Sequence, residues 1–269
     1  MFGSQEKRTI GLLWFLILTG IISGAPLDAS TGVEGDSPTI NPVASPLEQA
    51  GDYFQGDMIL TNEQEEALTD GRTSLIGASY RWPDNTVYYA IDTNAFTLTQ
   101  QDAIRAALQQ IMLVSCMKYV ARTTQTDYVL VTGEYTGCWS YLGRRGGAQQ
   151  LNLQPNGCLS RGTIMHEFLH ALGFVHMQSA SDRDFYVKIN WAAIQGGKES
   201  NFDRYSSAII DDFGISYDYE SVMHYGATAF STSGAATIIP YESGVSIGQR
   251  VGLSYKDIKR LNMLYPNCN

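Results

Sequence analysis

Apolar residues are spaced differently in successive stretches of this chain. Residues 10–22 form an apolar run preceded by Lys7 and Arg8 and followed by Ser23, Gly24 and Ala25. That is the layout of a secretory signal peptide, and the run is short of the roughly twenty residues that span a bilayer. A retained membrane anchor is the alternative reading. Residues 26–72 show no helical period before Asn62 and carry Pro26, Pro38, Pro42 and Pro46. Regular patterning starts at Thr86–Ile91, where β-branched and aromatic residues predict a strand. Residues 97–115 predict a helix, with Ile104, Leu108 and Ile111 on one side and a cap near Thr99 supported by Asp102. Short strands are expected at 119–121, Tyr128–Thr132 and 149–153, and a second helix over 161–172. The chain then turns loop-rich, with a short helix near 191–195. It closes in a helix over 254–265, where Ser254 and Asp257 make a capping pair and Pro266 stops the helix.

Charge sharpens the boundary near residue 72. Residues 26–72 hold ten acidic side chains against one base, Arg72, and read as a propeptide rather than as a solvated tail. The formal charge of -9 belongs largely to that stretch: without Lys7, Arg8, Arg72, Glu6 and those ten acids, 15 of 18 bases and 16 of 27 acids remain. A nearly neutral remainder argues against nucleic acid or an acidic membrane as partner. Residues 73–269 suffice for one domain with a sizeable core.

The chemistry concentrates in residues 161–179, RGTIMHEFLHALGFVHMQS. His166 and His170 stand four apart, so a helix stacks both imidazoles on one face. Glu167 lies between them in sequence. Gly173 follows three residues after His170, and His176 three after that. A left-handed glycine ends the helix and turns the chain back, bringing His176 under the first two. Three nitrogen ligands and an open fourth position are the donor set of a catalytic zinc. The fourth histidine, His224, lies in Ser221-Val222-Met223-His224-Tyr225.

HEFLHALGFVH with the downstream SVMHY resembles the metzincin metalloproteases and, within them, the astacin family. The likeness extends from about Tyr53 to the C-terminus, through residues 138–158 and 181–191. It implies an α+β fold: a mixed twisted sheet, two main helices above the cleft, and an irregular C-terminal half ending in a helix. It implies one Zn2+ on His166, His170 and His176, with Glu167 as general base, Met223 as a packed floor, and Tyr225 as a resting zinc ligand that swings to the oxyanion. Phe54-Gln55-Gly56-Asp57 resembles the family's aspartate switch, which makes Asp57 a zinc ligand in the zymogen only. A thiolate switch is excluded, because all four cysteines lie after residue 115. Arg72 is the expected point for an activating protease. Residues 146–151 resemble the upper-rim strand, expected as the edge on which an extended substrate adds. Arg250 is expected to favour acidic residues just after the scissile bond.

Four cysteines behind a signal peptide imply disulfides, and spacing leaves three connectivities open. The resemblance implies Cys116–Cys268 and Cys138–Cys158. Two positions depart from the family, which usually has Glu where Met177 stands and often Arg where Ala180 stands; that Glu normally receives the mature amino terminus. The expectation is a short, single-domain, secreted zinc endopeptidase: a monomer acting on proteins or peptides, made as a zymogen, not bound to membrane. A silent binder that keeps the fold is the alternative, and another metzincin subfamily is disfavoured by Tyr225 and Asp57.

Overall fold

The β-branched and aromatic run TVYYAI forms the strand it predicts, and the other elements follow from comparably local causes. A computed structural model describes residues 43–70 and 77–267. The readings that fall on the signal peptide, on the start of the propeptide, on Arg72 and on Cys268 lie outside those residues. Among the described residues the regular elements are β1 (Met58–Ile59), α1 (Asn62–Asp70), β2 (Thr86–Ile91), α2 (Leu98–Val114), β3 (Lys118–Ala121), β4 (Tyr128–Thr132), β5 (Cys138–Tyr141), β6 (Ala148–Leu153), α3 (Arg161–Ala171), β7 (Val187–Ile189), β8 (Ile238–Pro240) and α4 (Tyr255–Leu264). Short 3-10 turns link them, including Trp191–Ala193 at the expected short helix.

Helix starts are set by caps. Ser254 and Asp257 form the expected capping box of α4. In α2 the cap is Thr97, whose hydroxyl accepts from Gln100 N while the Gln100 side chain returns to Thr97 N. The expected Thr99–Asp102 pair is displaced because Thr97 is the last extended residue before the helix.

Six strands form one mixed sheet in the order β1-β5-β6-β4-β2-β3. β2, β3, β4 and β6 run parallel, and β5 is antiparallel to β6. This corrects the reading of residues 146–151. β6 is interior, paired on one side to β4 and on the other to β5. The rim strand is β5, and its outer edge is taken by β1, which pairs parallel through Met58↔Ser140 and Ile59↔Tyr141. Residue type alone does not say which neighbours a strand finds.

Ile104, Leu108 and Ile111 of α2 join Ile164, Phe168 and Leu169 of α3 and Val87, Val129, Val131 and Leu151 of the sheet in one core. Burying each such side chain stabilises by about 1.5–3 kcal/mol. After α3 the chain is irregular, and a second core gathers Phe202, Tyr217, Tyr225, Phe230 and Ile238. His166 of α3 reaches Val222 of the first core, and His176 beyond the helix packs on Tyr225 of the second. Cys138 is bonded to Cys158 as expected, and Cys116 is disulfide-bonded.

Candidate active site

α3 begins at Ser160, whose side chain accepts from Thr163 N at 3.1 Å. One turn on, His166 and His170 face each other edge to face, ring centroids 4.6 Å apart. The helix closes where Gly173 takes φ +103°, and its N–H donates to His170 O at 2.8 Å. A side chain at that φ is strained, which accounts for the glycine in the motif. The reversal carries His176 back until its Nε2 lies 3.3 Å from His166 Nε2.

Asp57 enters from the opposite side. Its Oδ2 is 3.2 Å from Nε2 of both His166 and His176, and its Oδ1 is 3.4 Å from His170 Nε2. Gly56 makes the approach possible: its φ is +90°, and a Cβ there would meet Phe230 Cζ at 2.7 Å and Glu48 O at 3.0 Å.

The outer nitrogens decide what the inner ones are. His166 Nδ1 is 2.8 Å from Val222 O, His170 Nδ1 2.7 Å from Phe174 O, and His176 Nδ1 2.9 Å from Gln55 Oε1. Each of those oxygens accepts, so each Nδ1 carries the hydrogen, and in the neutral imidazole each Nε2 presents a lone pair. His166 and His170 then bring lone pairs within 3.0 Å of each other, around a carboxylate. Only a cation makes that arrangement favourable. Asp57, His166, His170 and His176 are buried, with ligand atoms within 4.8 Å of one another. Three imidazoles and one carboxylate suit zinc.

The floor is braced from α4. Asp257 of its capping box accepts from Ser221 Oγ at 2.6 Å and Val222 N at 2.8 Å, and Val222 O holds His166. Burial pushes the Asp257 carboxyl up, against the three hydrogen bonds that favour its charged form. Met223 O accepts from Met177 N at 3.0 Å, so the turn carrying Met223 is tied to the segment after His176.

Glu167 is fully buried beside this group, and among the described residues neither carboxylate oxygen has a hydrogen-bond partner. Burial, then the Asp57 and Glu48 carboxylates, push it well above its ordinary pKa. Tyr225 packs its ring 4.4 Å from His176, and its hydroxyl donates to Gln55 O at 2.5 Å. Asp57 therefore stands at the imidazole nitrogens, while the Tyr225 hydroxyl is engaged by the chain two residues earlier.

Arg250 is not the surface arginine that its residue type suggests. It is 1% exposed, and its guanidinium donates to Glu48 at 2.6–3.1 Å and to His224 O at 3.1 Å. Glu48 Oε1 also accepts from Thr163 Oγ1 at 3.0 Å. Burial opposes ionisation of Glu48, and Arg250 overcomes it, holding the carboxyl below its ordinary 4.5. Residue type and spacing give no sign of Glu48, Gln55 or Asp257. Only the Ser254–Asp257 capping pattern hints at the last.

A family model described as Astacin, a peptidase family, matches residues 75–266. Zinc metalloproteinase nas-13 of Caenorhabditis elegans is 42% identical over 189 residues, 70% of this chain and 41% of its own. Meprin A subunit beta of Homo sapiens is 38% identical over 268 residues, 96% of this chain and 36% of its own. The chain thus spans less than half the length of these two relatives. Among solved structures, high choriolytic enzyme 1, a hatching enzyme zinc-protease from Oryzias latipes, superposes with a TM-score of 0.67 at 38% identity, covering 72% of this chain and 97% of that one. On the match over residues 75–266 and the zinc-binding donor set it contains, this chain belongs to the astacin family of zinc metalloendopeptidases.

Proposed function

We propose that the protein is a secreted zinc endopeptidase made as a zymogen, with residues 26–72 as propeptide and 73–269 as catalytic domain. The observation that carries the reading is the convergence of three imidazole Nε2 atoms on the Asp57 carboxylate. His166, His170 and His176 would hold the metal, and Asp57 would take the fourth place only in the latent form. Bound zinc supplies Lewis acidity and a water of pKa near about 7. The chain's own groups do the rest. Glu167 takes the proton of the attacking water and passes it to the leaving amine. Tyr225, released from Gln55, donates its hydroxyl to the developing oxyanion. Met223 is a packed floor with no chemical step.

Substrate would add as a strand on the outer edge of β5 once β1 leaves it. Arg250 would then face the cleft without Glu48, which favours an acidic residue just after the scissile bond. Cleavage after Arg72 by an activating protease would release the propeptide. Secretion is supported by the leader pattern, and the disulfides fit an oxidising compartment. The protein acts as a monomer, away from membranes and nucleic acid.

The test is cleavage of a denatured protein by the purified mature form, with zinc content measured on the same sample. Chelator-sensitive cleavage at one zinc per chain is expected. Full zinc loading without cleavage would make the protein a silent binder.

A further inference from the structure

His224 has no part in the chemistry above, yet it is buried between two tyrosines that matter to each other. Its Nδ1 donates to Tyr225 O at 2.8 Å, and its Nε2 accepts from the Tyr217 hydroxyl at 2.6 Å. Its own carbonyl takes the Arg250 hydrogen bond at 3.1 Å. The imidazole therefore pins the main chain at the residue whose side chain has to move.

Tyr217 is held from several directions. Its ring stacks on Tyr186 with centroids 5.0 Å apart and planes 11° apart, and meets the edge of Tyr219 at 5.5 Å. Its N–H donates to Asp182 Oδ2 at 3.2 Å, and its carbonyl accepts from Lys256 Nζ at 2.7 Å. At 2% exposure the hydroxyl has His224 Nε2 as its partner. An acceptor at Nδ1 and a donor at Nε2 fix one tautomer and one ring orientation.

We propose that Tyr217 is a positioning residue that acts through His224 to hold the Tyr225 main chain, so that only the phenol moves between its latent and working positions. The inference rests on the role assigned to Tyr225. Without the Tyr217 hydroxyl the imidazole is free to turn over, and the Tyr225 carbonyl loses a fixed donor. The phenol then reaches the oxyanion less often in the right pose. Binding of the ground-state substrate does not use that contact, so the loss falls on kcat and spares KM.

A double-mutant cycle on the zinc-loaded mature form tests this. Tyr217→Phe should lower kcat about tenfold with KM within about twofold, and should cost less than about twofold further in a Tyr225→Phe background. Tyr219→Phe is the structural control: it removes a hydroxyl of the same cluster, the one that donates to Tyr186 O at 2.6 Å, and should leave kcat near wild type. Tyr217→Phe with His224→Phe removes the imidazole acceptor together with its phenol donor, and takes the Nδ1 donor from the Tyr225 carbonyl as well; it should keep fold and zinc while showing the same kcat loss. Equal losses from Tyr217→Phe in both backgrounds, or recovery of kcat in the paired variant, would overturn the inference and leave the Tyr225 assignment standing. Should Tyr225→Phe alone leave kcat unchanged, the assignment and the inference fall together.

Discussion

His166 and His170 are oriented by main-chain oxygens of the lower half, Val222 O and Phe174 O, whereas His176 leans on Gln55 of the strip that covers the cleft. The same contrast runs through the site. The floor is held by α3, the Met223 turn and Asp257, all on the C-terminal side of Arg72. The strip over residues 43–61 is held by contacts to residues beyond Arg72: Asp57 on the imidazoles, Glu48 on Arg250, Gln49 Oε1 accepting from Phe230 N at 2.8 Å, and β1 on β5. Interactions of the floor with itself survive loss of the strip, and borrowed ones do not. Two of the histidines are thus preset, while the third would need a new acceptor if the proposed propeptide left the site.

Substitutions in the floor should therefore act on the mature enzyme, and substitutions in the strip on the precursor alone. The largest effect belongs to Glu167→Ala. It should lower hydrolysis by roughly 10²–10⁴-fold with zinc content unchanged; activity within about tenfold of wild type would remove Glu167 as the general base. Tyr225→Phe should cost about 10²–10³-fold in kcat, measured on the mature form.

For the strip, Asp57→Ala should let the uncleaved precursor cut a peptide substrate, and a precursor as silent as wild type would refute the aspartate switch. Glu48→Gln leaves Arg250 buried with a neutral partner. Breaking one side of a buried pair costs roughly 3–5 kcal/mol, so the precursor should melt earlier while the mature form, which lacks residue 48, is untouched. A Glu48→Gln precursor that melts with the wild-type precursor would erase the distinction between floor and strip.

Acid sharpens the same point. Glu48 is held below its ordinary 4.5, so its pairing stabilises the covered form above that pH and is lost as pH falls through the lowered value. The melting difference between wild-type and Glu48→Gln precursors should stay constant from neutral pH down to about pH 5 and shrink only in stronger acid.

The smallest effect concerns the new amino terminus. Met177 offers a thioether, a weak acceptor that cannot offset the cost of burying an ammonium. Mature forms starting at Thr73, Ser74 and Leu75 should agree in kcat/KM within about twofold. A sharp optimum at one of them would mean that the terminus is anchored after all.

Much of the floor is legible in the sequence because its determinants are local. Spacings of four and three residues around a glycine suffice to bring His166, His170 and His176 together, and the capping box of α4 is visible as Ser254 and Asp257. The strip is legible only at Asp57, through a resemblance. Glu48 meets Arg250 across 202 residues and Gln55 meets His176 across 121, separations over which no periodicity carries information. The interior position of β6 is hidden for the same reason. A strand pattern shows which residues extend, and pairing is settled by the chain that arrives beside it.

Residues 43–61 all lie on the N-terminal side of Arg72, and their partners at the site lie beyond it. Cutting there severs none of these contacts. On the proposed zymogen reading it would change only the molecularity of inhibition, from a tethered ligand at a fixed effective concentration to a free peptide whose occupancy depends on dilution. Activation then has two clocks, one set by the protease and one by escape of the peptide. A freshly cut sample at high protein concentration should stay partly silent until it is diluted or the peptide is degraded.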